Sequence, residues 1–212
     1  MVCDNETEGE TMSPVTRGFR RRHSVEAPSN RVPPGQYVTD DFPVLSAGPT
    51  PFVDLAAWSF SITRPTGAET VWTWDEFNEL PSETVNVDLH CVTKWSKLDT
   101  NWRGVSVDVL LADIDEPGTH ALFHSHGGYT TNLPVADITG GKAWLAYEYD
   151  GGPLHPEHGG PVRLLVPHVY FWKSAKWVQG VTLSDADRRG FWESYGYHNY
   201  GDPWLEQRYD GD

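Results

Sequence analysis

One cysteine stands at the end of an alternating stretch. In Asn86-Val-Asp-Leu-His-Cys-Val-Thr-Lys-Trp-Ser96 and the residue before it, Val85, Val87, Leu89 and Cys91 alternate with Asn86, Asp88 and His90. A period of two predicts a half-buried strand with Cys91 at its end. Thr93, Lys94 and Ser96 follow and suit a loop. A thiol placed there, beside a cation and hydroxyls, is set up to ionise, and a thiolate serves as a nucleophile or as a ligand for a soft metal. The plainer reading is a small buried side chain.

A second group of reactive residues lies late in the chain. His158-Gly-Gly-Pro-Val-Arg163 reads as a glycine turn entering a strand, and Phe171-Trp-Lys-Ser-Ala-Lys-Trp177 as a polar loop entering another. Arg163, Lys173 and Lys176, with the Ser174 hydroxyl and exposed amides, suit a phosphate group. Cations paired to surface acids are the alternative. Neither GxxxxGK[ST] nor GxGxxG occurs, which disfavours an ordinary nucleotide fold. Gly127-Gly-Tyr-Thr-Thr-Asn132 follows a strand carrying His124, Ser125 and His126, and its polar groups suit either a heterocycle or a hydrogen-bonded turn. The pairs His124-x-His126 and His155-x-x-His158 raise a zinc site, although no second cysteine accompanies Cys91 at a ligand spacing.

These residues need a scaffold of short strands. Segments such as Trp58–Ile62, Val71–Trp74, His120–Ser125, Ala143–Tyr149, Val162–Val166 and Lys176–Leu183 read as strands, separated by Gly/Pro turns. Thr73-Trp-Asp-Glu76 reads as a capping box opening a short helix that ends near Leu80-Pro81. Trp102-Arg-Gly104 reads as a turn, Val105–Asp113 and Asp185–Tyr195 as helical. The pattern lacks regular βαβ alternation and predicts an α+β domain dominated by mixed sheet. Residues 1–30 read as a flexible tail and 31–212 as one domain.

Composition sets the outer bounds. The chain has 212 residues, 38% apolar, with ten tryptophans, which suits a globular fold with a substantial core. Its net charge of −14 argues against nonspecific binding to nucleic acid or anionic lipid. No apolar run approaches membrane-spanning length, and no apolar stretch follows Arg20-Arg-Arg22 to make an export signal. Two cysteines, Cys3 and Cys91, do not make a disulfide framework, so a reducing cytoplasm is expected.

Taken together, His90-Cys-Val-Thr-Lys-Trp-Ser96, Gly128-Tyr-Thr-Thr-Asn-Leu-Pro134, His158-Gly-Gly-Pro-Val-Arg163 and Lys173-Ser-Ala-Lys-Trp177 resemble the molybdopterin-binding oxidoreductases of the sulfite oxidase superfamily. The resemblance runs from Arg31-Val-Pro-Pro-Gly-Gln36 to Gly201-Asp-Pro-Trp204 and is nearest to the short single-domain sulfite oxidase-like proteins. It implies a mixed α+β fold around one molybdopterin, with Cys91 as the protein's thiolate on molybdenum. It further implies that Arg163, Ser174 and Lys176, with the Ala175 backbone, hold the cofactor's terminal phosphate. His158 and Ser125 would contact the pterin, and Arg31 and Gln36 would close over it. Lys94, Trp95, His126 and Tyr129 are candidates for the substrate pocket. Sulfite oxidases carry an arginine pair soon after the cysteine, whereas this loop reads Val92-Thr-Lys-Trp-Ser96 and is more similar to the catalytic subunit of the periplasmic methionine-sulfoxide reductase.

The resulting expectation is a molybdenum-dependent oxidoreductase performing two-electron oxo transfer on a small substrate, with an unidentified redox partner. A noncatalytic, tryptophan-rich ligand-binding module and a zinc-dependent hydrolase stand as alternatives.

Overall fold

The computed structural model describes residues 30–212. The expected tail therefore lies outside the described residues, apart from its last position. Eleven strands form two sheets. The strands are β1 (Tyr37–Val38), β2 (Ser59–Thr63), β3 (Glu69–Thr73), β4 (Glu83–His90), β5 (Trp95–Ser106), β6 (His120–Ser125), β7 (Thr130–Pro134), β8 (Trp144–Tyr149), β9 (Gly152–Pro153), β10 (Arg163–Leu165) and β11 (Val178–Ser184). The helices are short: α1 (Trp74–Glu79), α2 (Val107–Leu111) and α3 (Phe191–Ser194).

One sheet has the order β1-β5-β8-β10, with β4 also paired to β5 and β9 to β8; the other has the order β3-β2-β11-β6-β7. The β1–β5 and β2–β11 pairs are parallel and the remaining pairs antiparallel, so both sheets are mixed as the sequence predicts.

Alternation along the strands divides the apolar side chains between two cores. Phe60, Phe123 and Val181 from the five-stranded sheet meet Val105, Leu145 and Leu164 from the six-stranded sheet. The opposite face of the six-stranded sheet carries Leu89, Cys91, Trp102, Trp144, Ala146 and Leu165. Val85 and Val87 pack against this second cluster, so the alternating face read from the sequence is real. The capping box is also present: Thr73 accepts from the Glu76 amide while the Glu76 carboxylate accepts from the Thr73 amide.

Two local expectations fail. Trp102–Gly104 is not a turn, because β5 runs straight through it, and helix follows only at Val107–Leu111. A Cβ on Gly104 would lie 2.5 Å from the Leu145 carbonyl oxygen and 2.8 Å from the Ala146 Cα. The glycine thus marks a close approach of β5 to β8, where the register shifts. The segment Asp185–Tyr195 is helical only at Phe191–Ser194. Asp187 is held by the Asn132 and Asn199 side-chain amides, and Ser184 donates to the Ala186 carbonyl. Such side-chain bonds hold a segment in turns rather than helix.

Candidate functional site

Cys91 follows β4 and opens a tight turn into β5. The Lys94 amide donates to the Cys91 carbonyl, the Cys91 amide donates to the Trp95 carbonyl, and Lys94 takes φ +74°. The loop expected here is therefore only a turn, and Ser96 already belongs to β5, where its hydroxyl meets His90 Nδ1 at 2.9 Å. Cys91 is 6% exposed. Burial pushes its pKa up, while the Thr93 hydroxyl, 3.2 Å from Sγ, and the Thr93 and Val92 amides pull it down. No neighbouring cation enters this balance. The thiol is a shielded sulfur with three donors aimed at it, a setting that stabilises a sulfur carrying negative charge once a metal supplies the compensation.

Arg163 leaves the same sheet face. It pairs in register with Ala146, and Leu165 with Trp144, both members of the Cys91 cluster. The residue is 1% exposed, and its guanidinium carbon lies 4.1 Å from the Phe171 ring centre and 5.6 Å from that of Trp102, while its N–H groups donate to the His158 and Ser174 carbonyls. Nε has no partner, and no carboxylate pairs with this arginine among the described residues. Burial lowers its pKa to about 9.

Two further basic groups share this environment. Burial, then Arg163, lowers Lys176 to about 8; burial, then Arg163 and Lys176, lowers His158 to about 4. Gly159, at φ +110°, permits the convergence, since a Cβ there would sit 3.0 Å from Lys176 and 3.1 Å from Arg163 side-chain carbons. Ser174 Oγ accepts from the Val166 amide, and the Ala175 carbonyl accepts from Leu164, so both residues fix the loop beside the cations. Glu157 is the acid that raises both the Lys176 and the His158 pKa, and the pair of desolvated cations beside a neutral imidazole has the chemistry that suits an anion.

Aromatic rings join the two poles. Phe42 stacks on His158 at 4.0 Å between ring centres and reaches Trp95, Trp102, Tyr149 and Phe171. Trp95, a substrate-pocket candidate, shares the buried cluster of Cys91, and its indole Nε1 is buried without a partner. Gln36 donates to the Cys91 carbonyl at 3.1 Å. Ser125 is buried with an unpartnered hydroxyl.

Other candidates are placed elsewhere. Lys173 is fully buried and bound to Glu193 at 2.6 Å, with Asn132 and the Asn199 carbonyl completing its shell, so it is not available to a phosphate. Arg31 is engaged by Asp88 and Asp99, which clamp the lead-in segment to the β4–β5 pair instead of to a cofactor. Tyr129 donates its hydroxyl to the Trp172 carbonyl at 2.6 Å and packs on Phe191. His126 lines a pocket of about 380 Å³ with His124, Ser59, Ser61 and Gln179, on the five-stranded sheet's face turned away from the core. That pocket does not include Cys91.

The two alternatives also meet the geometry. No group of three His, Cys, Asp or Glu among the described residues could hold a metal ion, so the histidine pairs do not assemble a zinc site. Trp58, Trp95, Trp102, Trp144, Trp172 and Trp177 are buried, which leaves few tryptophan faces for ligand stacking. No described helix is long and apolar enough to cross a membrane.

Sequence reasoning missed Phe42, Tyr170, Tyr197 and Arg208. Tyr197 feels a charge at Cys91, behind the larger effects of burial and of Tyr209 in raising its pKa. It packs on Trp172, which stacks on Tyr170. For Tyr197 the signal was the aromatic density after residue 190, which names no target; Phe42 and Tyr170 sit in segments that read only as irregular.

Comparison with known proteins adds a family frame. The profile described as "Oxidoreductase molybdopterin binding domain" matches residues 47–192. The chain is 41% identical over 187 residues to "Uncharacterized oxidoreductase YuiH" of Bacillus subtilis, covering 87% of this chain and 94% of that protein. It is 29% identical over 154 residues to YedZ1 of Azospira oryzae, whose name assigns it provisionally as a protein-methionine-sulfoxide reductase subunit, covering 70% of this chain and 57% of that one. The fold is similar to that of the sulfane dehydrogenase SoxCD from Paracoccus pantotrophus, with a TM-score of 0.58, 19% identity, and coverage of 65% of this chain and 40% of that one.

Proposed function

The chain belongs to the molybdopterin-binding oxidoreductase family, and on that premise we propose that it performs two-electron oxo transfer on a small substrate at a molybdenum centre held by Cys91. Its cofactor is the molybdenum–molybdopterin of that family. The residues fit this group at both ends. A soft thiol with three donors on its sulfur suits the metal, and a buried guanidinium without a carboxylate partner suits the terminal phosphate. The observation that carries the reading is their shared sheet face: Arg163 projects into the cluster that contains Cys91.

When bound, the metal supplies the site to and from which an oxygen atom and two electrons pass. The protein's part is to hold and shield. Cys91 anchors the metal, and the Thr93 hydroxyl and nearby amides tune the sulfur's donor strength. Arg163 and Lys176 would balance the phosphate charge, with His158 as a neutral hydrogen-bonding ring beside them and Ser174 and Ala175 fixing the loop that carries Lys176. Phe42, Trp95, Trp102 and Phe171 exclude water between the poles.

The direction of transfer is ours to propose. The loop after Cys91 has no arginine, and one relative is named for sulfoxide reduction, which together favour reduction of an S- or N-oxide over oxidation of sulfite. A separate redox protein supplies the electrons, and the single-thiol chemistry suits the cytoplasm. The test is protein made in a cofactor-producing host, assayed for molybdenum and extracted pterin. A parallel screen compares sulfite, with an artificial acceptor, against S- and N-oxides, with an artificial donor. Stoichiometric cofactor with oxide turnover supports the reading, and metal-free protein from such a host refutes it.

A further inference from the structure

Both poles of the site are closed off from solvent. Cys91 is 6% exposed and Arg163 1%, so a group that lies between them has to enter past a covering segment. One such cover rests on a single side chain. Phe42 lies parallel to the His158 ring, at 4.0 Å between centres and 10° between planes, and meets Trp95, Trp102, Tyr149 and Phe171 at 5.1–6.4 Å. Among these rings, Trp102 and Phe171 lie beside the Arg163 guanidinium, and Trp95 shares the buried cluster of Cys91.

The segment that bears Phe42 is otherwise weakly tied. Its first anchor is beside β1, where the Thr39 amide donates to the Ser96 carbonyl and Lys97 donates to the Asp40 carbonyl. Its second anchor is Val53, packed on the larger core, with Asp54 capping the short turn Leu55–Ala57. Between the two, residues 42–53 form no strand or helix, and among the described residues they make no hydrogen bond to any other segment. Their internal hydrogen bond runs from the Gly48 amide to the Ser46 hydroxyl at 3.4 Å. Residues 44–50 are all exposed. A stretch held by one inserted ring and no backbone hydrogen bonds opens at low free energy, because withdrawing that ring is the main cost. The strands beneath it, β4, β5, β8 and β10, are hydrogen-bonded within their sheet and lack this freedom.

We propose that residues 41–53 form a lid over the surface between Cys91 and Arg163, latched by Phe42 on His158, and that the cofactor enters and leaves when this lid opens. The proposal rests on the reading of that surface as the cofactor's place, and it adds the element that moves. Withdrawing Phe42 uncovers a face of His158 and the edges of Trp95, Trp102 and Phe171, which belong to both poles. The hinges are the two anchors, Thr39–Asp40 and Val53–Asp54, where hydrogen bonding and core packing resume.

The test labels Cys91 with iodoacetamide in cofactor-free, full-length protein, with Cys3→Ser removing the other thiol. The wild-type labelling rate should stay flat in low urea, since a local opening exposes little surface, and rise only near the unfolding transition. A rate that tracks global unfolding at every urea concentration overturns the lid. Phe42→Ala should speed labelling at least about tenfold, and Phe42→Leu by less. Phe52→Ala, at a ring 93% exposed in the same segment, should leave the rate within about twofold. Equal rates in wild type and Phe42→Ala refute the latch. A bulky pyrene-bearing maleimide should gain as much as iodoacetamide. A gain confined to the small reagent means that the lost ring left a hole beneath a shut lid, and it rules the proposal out. In cofactor-loaded protein, pterin release, followed as its fluorescent oxidation product, should be at least about threefold faster in Phe42→Ala. Release at the wild-type rate alongside faster labelling overturns the cofactor route. Wild type that carries no cofactor from a producing host sinks the proposed function and that route with it, whereas the labelling rates still decide the lid.

Discussion

The guanidinium carbon of Arg163 lies 4.1 Å from the centre of the Phe171 ring, and that ring packs on the cluster that holds Cys91. The cation and the thiol thus stand on one apolar surface although their strands, β10 and β4, are not neighbours in the sheet. A cofactor lying across that surface would meet a soft donor at one end and positive charge at the other.

Replacing Arg163 separates binding from folding. A buried cation without a counter-charge burdens the empty protein, whereas the bound phosphate relieves it. Arg163→Met retains the apolar stem and should leave the cofactor-free protein as stable as wild type or up to about 2 kcal/mol more so, by urea unfolding. The same variant made in a cofactor-producing host should retain less than about a tenth of the wild-type molybdenum.

Cys91→Ser tests the other pole. The change removes the soft donor but little volume, so unfolding free energy should fall by no more than about 1–2 kcal/mol. Turnover should drop to background and molybdenum content should fall. A Cys91→Ser protein with wild-type turnover would contradict the assignment.

Lys173 should behave as a structural residue. Lys173→Met leaves Glu193 buried without its cation, with an expected loss of about 3–5 kcal/mol in urea unfolding. The double variant Lys173→Met, Glu193→Gln should recover much of that loss, because the uncompensated charge is gone. Recovery of stability should restore cofactor content as well, which a phosphate-binding lysine would not allow.

His126 faces the pocket on the outer side of the five-stranded sheet. His126→Ala should therefore leave kcat/KM for an active oxide substrate within about twofold of wild type. A loss of a hundredfold would place this histidine back in the substrate site.

Acid stability should depend on His158. Its folded pKa, about 4, lies below the ordinary value of 6.5, because burial and then Arg163 and Lys176 oppose its protonation. The unfolded chain therefore binds this proton first, so the contribution is complete above pH 6.5 and is lost as pH falls toward 4. The ring is partly open to solvent, which reduces the effect below the about 1.4 kcal/mol per pH unit of a fully desolvated group. In cofactor-free protein, Tm between pH 7 and 4.5 should fall more steeply for wild type than for His158→Asn, by about 2–4 °C. Bound cofactor should flatten the difference, since a nearby phosphate raises the histidine's pKa.

Some of this could be read without coordinates, because it depends only on residues near one another in the chain. Alternation from Val85 to Cys91 fixed which side chains share a face, and Thr73 with Glu76 fixed a helix start. The residue types around Arg163 suggested an anion site, with cations paired to surface acids as the alternative. Tertiary structure decided which cations were available. Lys173 and Arg163 read alike in sequence, yet one meets Glu193 and the other meets only carbonyls and rings. Arg31 was taken by Asp88 and Asp99, while Arg208 arrived beside Gln36 and Tyr170 from the far end of the chain. Local pattern is set by backbone periodicity, but the partner of a charge is set by the path of the whole chain, since the pairing groups lie tens of residues apart and meet only after the sheets have formed.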